Sequence, residues 1–349
     1  MPPTLATLRP EALQHLLADD AREATVHQWS LAEINALRLA QAAERPLLVR
    51  GEPGTGKTQL ARAAADHLGW RLHAVTIHPG TDAQDLVYRF DAIKRLADAQ
   101  ARRNLDETSY IEPGPLWRAY DWASAVGYGS LRVAASKPAN PALPTPTGHV
   151  VLIDEIDKAD SDLPNSLLEV LGQRSLHVPP LNRTIGGPAA QRPLVIITSN
   201  EERELPSAFV RRCMVLNLMP DSSISYQQWL LQRGQAHYSS TSQRRAGDPR
   251  PRMALAVMQR AASQLCQDRD HAQRAGLHAP GPAEYLDLLR ALDRLAHEDE
   301  AGQQRWLEEL SAYAFVKSAA LNPAEGDATL TQARPFTGQA GAEPKPTTP

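Results

Sequence analysis

Apolar positions change their spacing along this chain, and the changes divide it. Leu13, Leu16 and Leu17 recur at helical spacing and predict a helical lead-in over residues 1–30. Leu31, Ile34, Leu37 and Leu39 predict a second amphipathic helix over 31–44, stopped at Pro46, which has no N–H to donate. Short apolar runs follow at 46–50, 150–154, 193–198 and 214–218, with an alternating stretch at 71–77. Runs of that length between turn residues read as short buried strands. Residues 59–68 and the series Leu163, Leu167, Leu168 and Leu171 read as helices, and 85–100 as helical in part. The Pro- and Gly-rich stretches 127–148 and 175–192 read as loops.

After Pro220 the strand pattern stops. Helical spacing covers roughly 222–233, 252–268, 282–297 and 303–321, with a loop at 238–252. Residues 322–349, rich in Pro, Gly, Thr and Ala, read as a disordered tail. The expected layout is a lead-in (1–30), an α/β core (31–220), an all-helical unit (221–321) and the tail (322–349).

Composition narrows the classes. The 349 residues are 42% hydrophobic and 22% charged, an ordinary globular balance with room for about two domains. Two cysteines, Cys213 and Cys266, exclude a disulfide framework and a cysteine-based zinc finger. No apolar run nears the ~18 residues of a membrane span, and the first residues lack a signal-peptide layout, so the expected location is the cytoplasm. The net charge of -3 gives no overall basic footprint for nucleic acid, although 231–275 is locally rich in arginine.

The strongest chemical signal is Gly51-Glu52-Pro53-Gly54-Thr55-Gly56-Lys57-Thr58, which matches G-x-x-x-x-G-K-[ST] between a strand and a helix. Its glycines let the backbone turn several N–H groups toward one anion, and the helix behind adds its positive end. Lys57 would reach the outer phosphates of ATP, and the Thr58 hydroxyl would bind Mg²⁺. Downstream, the strand His149–Ile153 ends in Asp154 and Glu155. Asp154 would hold Mg²⁺ and Glu155 would act as general base on the attacking water. The next strand ends in Thr198-Ser199-Asn200, where Asn200 could orient that water or touch the γ-phosphate. Arg211 and Arg212 follow soon after.

In this order the features resemble the AAA+ ATPases: a phosphate loop, an Asp-Glu strand, a polar sensor strand, an arginine finger and a helical lid. The likeness spans about 30–320. Within that superfamily the chain resembles the MoxR branch. The residues that carry this are the phosphate loop, Ile153-Asp154-Glu155-Ile156-Asp157-Lys158-Ala159, Glu112-Pro113-Gly114-Pro115-Leu116-Trp117-Arg118, and Leu167-Leu168-Glu169 with Leu205-Pro206. The resemblance implies a three-layer P-loop core with a parallel sheet, a C-terminal helical lid, and inserts near 87–111 and 175–191. It implies Mg²⁺-dependent ATP hydrolysis in a ring, expected to be a hexamer, with Arg211 or Arg212 acting on the neighbouring copy. It also implies remodelling of a protein client, with a von Willebrand factor A-domain protein as a candidate partner. Two other classes stay open: a nucleic-acid-associated or restriction/defence NTPase, and a nucleotide-dependent scaffold that hydrolyses little. One departure bears on the last. The family's lid arginine would fall in Pro280-Gly281-Pro282-Ala283, and Ala283 stands in its place.

Other residues invite chemistry and are read as packing. His78 and His149 are lone histidines without metal-ligand spacing, and neither cysteine has a histidine beside it in the sequence. Trp117 and Trp122 read as core rather than as a stacking platform, and Tyr88, Phe90 and Trp117 as packing near the first insert.

Overall fold

A computed structural model describes residues 4–17, 25–103, 105–129, 145–172, 175–187, 192–220, 223–238, 253–296 and 299–315. The tail, most of the 127–148 stretch and nearly all of the 238–252 loop lie outside the described residues. The chain forms two compact units, residues 1–220 and 221–349.

In the first unit the elements run β1 (Leu13–Leu16), β2 (Thr25–Gln28), α1 (Leu31–Ala42), β3 (Leu47–Arg50), α2 (Lys57–Leu68) and β4 (Arg71–Thr76). Next come α3 (Ala83–Val87), β5 (Tyr88–Phe90), α4 (Ala92–Gln100), β6 (Ile111–Pro113), α5 (Pro115–Tyr120), α6 (Trp122–Ala125) and β7 (His149–Asp154). The unit closes with α7 (Leu163–Gly172), β8 (Ser175–Val178), β9 (Arg183–Gly186), β10 (Leu194–Ser199), α8 (Ser207–Val210) and β11 (Met214–Asn217). The described elements of the second unit are all helices: α9 (Tyr226–Tyr238), α10 (Leu255–Arg274), α11 (Pro282–Leu295) and α12 (Glu300–Phe315).

Five strands form a parallel sheet in the order β11-β3-β10-β7-β4. Side chains alternate between its faces, as strand geometry requires. Leu47, Val49, Val150, Leu152, Leu194 and Ile196 face α1 and α2. Leu48, Val151, Ile153, Val195 and Ile197 face α5, α7 and α8. Both faces are therefore dry, which is why these strands read as unbroken apolar runs.

Three expectations need correction. The lead-in at 1–30 is not helical: β1 and β2 pair antiparallel, with Leu16 opposite Thr25. Of the three leucines at helical spacing only Leu16 is buried, while Leu13 and Leu17 are exposed. The pairing holds because Gln14 spans two neighbours. Its amide nitrogen donates to the Ala63 carbonyl and Asp66 on α2, and its oxygen accepts from Trp29 Nε1 at 2.9 Å. The 175–192 stretch is not simply a loop. β8 and β9 form a hairpin that buries Leu176, Val178 and Ile185, turned through left-handed Asn182. Leu31 and Leu39 are exposed on α1, whose buried side is Glu33, Ile34, Leu37 and Ala40.

In the first insert, β5 pairs with β6, and α4 lies between them in sequence. Trp117, Trp122 and Tyr88 are buried, in keeping with packing, and Trp117 Nε1 donates to Ser124 Oγ at 2.7 Å. Cys213 is buried, which pushes its thiol up to about 11, away from reactivity. No described helix is long and apolar enough to cross a membrane.

His149 is not alone. Pairing of β4 with β7 sets Arg71 opposite His149 and brings His73 Nε2 within 3.0 Å of His149 Nδ1. The two buried rings stack at 5.2 Å, beside Trp122, which carries Arg71 on its face. Burial, with the neighbouring cations, lowers His73 to about 3 and His149 to about 4, from 6.5. Both are thus neutral in the folded protein at pH 7. The unfolded chain takes up these protons below about pH 6.5, so the stability they contribute is present above that pH. It is lost as pH falls, by up to about 1.4 kcal/mol per pH unit for each proton. Urea midpoints between pH 7 and pH 5 should fall, and fall less in a His73→Gln/His149→Gln double variant. Equal slopes would mean the pair does not titrate this way.

Candidate functional site

Parallel pairing puts the C-terminal ends of β3, β7 and β10 side by side, and the candidate residues leave from those ends. Arg50 pairs with Ser199 on one side and Asn217 on the other, so the loop starting at Gly51 rises from the middle of the sheet. Gly51 has φ +151, and a Cβ there would sit 2.6 Å from the Leu218 carbonyl oxygen. Only glycine fits that approach. Gly54 and Gly56 also have positive φ, and Gly56 caps the start of α2. Thr55 Oγ1 donates to the Glu52 carbonyl at 2.8 Å and closes the turn, while Glu52 and Pro53 stay exposed.

Lys57, buried in the first turn of α2, curls back over the loop. Its Nζ donates to the carbonyls of Gly51 at 2.7 Å and Glu52 at 2.9 Å. Burial lowers its pKa, opposed by the carboxylates of Asp154, Asp157, Glu155 and Glu201. The ammonium thus stands over the loop among acids.

Thr58 faces Asp154. Its Oγ1 donates to that carboxylate, 3.1 Å from one oxygen and 3.0 Å from the other. The same carboxylate accepts from Thr198 Oγ1, and Thr198 in turn accepts the Glu155 N–H at 2.9 Å. Glu155 is left-handed, with φ +61, which turns the chain sharply after β7. Its carboxylate meets Lys158 Nζ at 2.9 Å and lies 3.5 Å from Asn200 Nδ2. Asp157, with 2% exposure, accepts the backbone N–H groups of Asn200 and Glu202.

Most of the residues singled out from the sequence therefore meet in one place: the loop 51–58, Asp154, Glu155 and Asn200. Arg211 and Arg212 do not join them. Both are exposed at the end of α8 and make no ion pair among the described residues, and Glu201 pairs instead with Arg50 at 3.7 Å. Ala283 is half-buried in the first turn of α11, in the second unit.

Four neighbours have no role in the sequence reading: Thr198, Asp157, Lys158 and Arg50. Thr198 carries a readable signal, a hydroxyl inside an apolar strand, which needs a partner when buried. Asp157 carries another, an acid directly after buried Ile156.

The chain's residues 46–213 match the family model of the AAA domain, dynein-related subfamily. Residues 46–213 are an AAA domain. The match begins one residue before β3 and ends one before β11, so it takes in the phosphate loop, both acids and Asn200. Among solved structures the chain is similar to a candidate ATPase from Cytophaga hutchinsonii, at 14% identity and TM-score 0.38, covering 80% of this chain and 79% of that one. It is also similar to RuvB mutants from Thermotoga maritima. One has 15% identity and TM-score 0.39 over 80% of this chain and 67% of that one. Another has 13% and 0.41 over 79% and 66%. Likeness this loose supports no argument about function.

AAA domains bind ATP, and this loop fits a nucleotide's phosphates, because Gly51 leaves no room for a Cβ and Gly54 and Gly56 take positive φ. Thr58 and Asp154 fit Mg²⁺: one hydroxyl and one carboxylate, with water and phosphate left to complete the shell. Gly51→Ala should lower stability by about 1–3 kcal/mol, because the new Cβ meets backbone and the dihedral is strained. Gly172→Ala, which meets nothing within 4 Å, should be neutral or mildly stabilising. Urea midpoints of the two variants check this, and equal midpoints would refute the strain.

Proposed function

We propose that this protein is a Mg²⁺-dependent ATPase of the MoxR type that assembles into a ring, expected to be a hexamer, and remodels a protein client in the cytoplasm. The observation that carries the catalytic part is the meeting of Thr58 with Asp154 beside Lys57, with Glu155 next along the chain. Positive charge, a metal-binding pair and a carboxylate base then surround one point.

The chemistry follows from the residues. Loop N–H groups and Lys57 hold the β- and γ-phosphates. Thr58 and Asp154 hold Mg²⁺, which neutralises phosphate charge. Glu155 accepts a proton from water as the water oxygen bonds to the γ-phosphorus. The bond to the β-phosphate oxygen breaks, and its electron pair leaves with ADP. Lys158 engages Oε2 of Glu155, so Oε1, the oxygen on the Asn200 side, is the one placed to take the proton. Asn200 orients the water. Arg211 or Arg212, exposed and without an ion pair among the described residues, stabilises the transition-state charge of a neighbouring copy, so hydrolysis depends on assembly.

The MoxR resemblance suggests a von Willebrand factor A-domain protein as partner and the helices after Pro220 as lid. Ala283 favours a second reading, a nucleotide-dependent scaffold with little turnover, because a lid without its arginine loses a contact to the γ-phosphate.

Glu155→Gln should keep ATP affinity and lower kcat at least about 100-fold, the usual scale for a lost general base. Lys57→Ala should abolish binding. With Mg²⁺-ATP, Glu155→Gln should sediment at six times the monomer mass. Of Arg211→Ala and Arg212→Ala, the finger variant should lose about 10³-fold in kcat with binding intact. Tight ATP binding by the wild type without turnover would favour the scaffold.

A further inference from the structure

The acidic turn after β7 and the Asn200 loop after β10 are laced together in both directions. From β10, Thr198 donates to Asp154 and accepts the Glu155 N–H at 2.9 Å. From the other side, Asp157 accepts the Asn200 N–H at 3.2 and 3.3 Å and the Glu202 N–H at 3.0 Å. Thr198 is 1% exposed and Asp157 2%.

Three features make this more than ordinary packing. The bonds to Glu155, Asn200 and Glu202 go to backbone N–H groups, so they fix where the chain runs and not only how one side chain turns. The lacing also encloses strained backbone: Glu155 and Glu201 each have φ +61, unfavourable for residues with a Cβ. Such conformations persist only where surroundings over-determine them. Finally, Arg50 braces the far side of the loop through Glu201.

We propose that Thr198 and Asp157 are positioning residues that make the two loops one rigid body, so that Glu155 and Asn200 keep a fixed separation around a shared water. The proposal rests on the roles given above to Glu155 and Asn200. Neither Thr198 nor Asp157 is asked to touch nucleotide. Thr198 sets the acidic turn from the Asn200 strand, and Asp157 sets the Asn200 loop from the acidic turn. A water held between two groups tolerates little drift, since a misplacement of about 1 Å can cost about 10²-fold in rate.

The test uses the full chain, with ATP hydrolysis, ATP affinity and amide hydrogen exchange as readouts. Asp157→Ala and Thr198→Val should each lower kcat about tenfold or more, with KM and ATP affinity within about threefold. Thr198→Ser, which keeps the hydroxyl, should restore kcat to within about threefold of wild type. Asp157→Ala added to Asn200→Ala should cost less than about threefold more, because its effect passes through Asn200. In hydrogen exchange the signature is crosswise: Thr198→Val speeds exchange at 200–202, and Asp157→Ala speeds it at 155. Loss falling on KM, full activity in either variant, or exchange changing only at the amide that lost its own acceptor would overturn the proposal. If the wild type does not hydrolyse ATP, the catalytic reading fails, and the crosswise exchange still decides the rigid body. Should Asp157→Ala not fold, Asp157→Asn, which keeps one acceptor oxygen, serves in the same comparisons.

Discussion

One carboxylate holds the site together. Asp154 receives the hydroxyl of Thr58 from α2 and the hydroxyl of Thr198 from β10. It thereby ties the phosphate-loop helix, the acidic strand and the central strand at one point. The sheet supplies that point, since β10 lies between β3 and β7 and their C-terminal ends are in register. A two-residue slip of any strand would move one partner by about 6.6 Å and part the hydroxyls from the acid. The dry faces forbid even a one-residue slip, which would exchange the side chains of the two faces.

Legibility in the sequence followed the range of each interaction. The five sheet strands could be read because burial on both faces leaves unbroken apolar runs. The phosphate loop could be read because its glycines answer to local backbone demands. The hairpin β1–β2 could not, because its pairing depends on Gln14 meeting α2 and Trp29, and leucine spacing carries no trace of that. The β8–β9 hairpin was hidden by prolines that punctuate its turn. His73 and His149 are far apart in sequence and meet only through the β4–β7 register. Thr198 and Asp157 act on backbone groups of another loop, which no spacing rule encodes.

The two compact units divide the chemistry unequally. The phosphate loop, Asp154, Glu155, Asn200 and both candidate arginines belong to the first unit. The second has its own apolar core, in which Tyr285 Oη donates to the Met258 carbonyl at 3.1 Å and packs over Gly234, where a Cβ would find no room. Its helices are thus fixed to one another without help from the sheet. Its first-turn residue Ala283 brings no charge to any neighbour.

The strand order also has a consequence for how the site comes into being. β3 and β7 are never neighbours; β10 separates them, although it is made after both. A ribosome-bound chain ending before Leu194 already carries the phosphate loop and both acids, yet lacks the strand that aligns them. Its loop-closure cost is met by the long-range pairing of β10 with both neighbours rather than by local structure. The loop and the two acids therefore stay unaligned on the growing chain until the centre of its sheet has been filled.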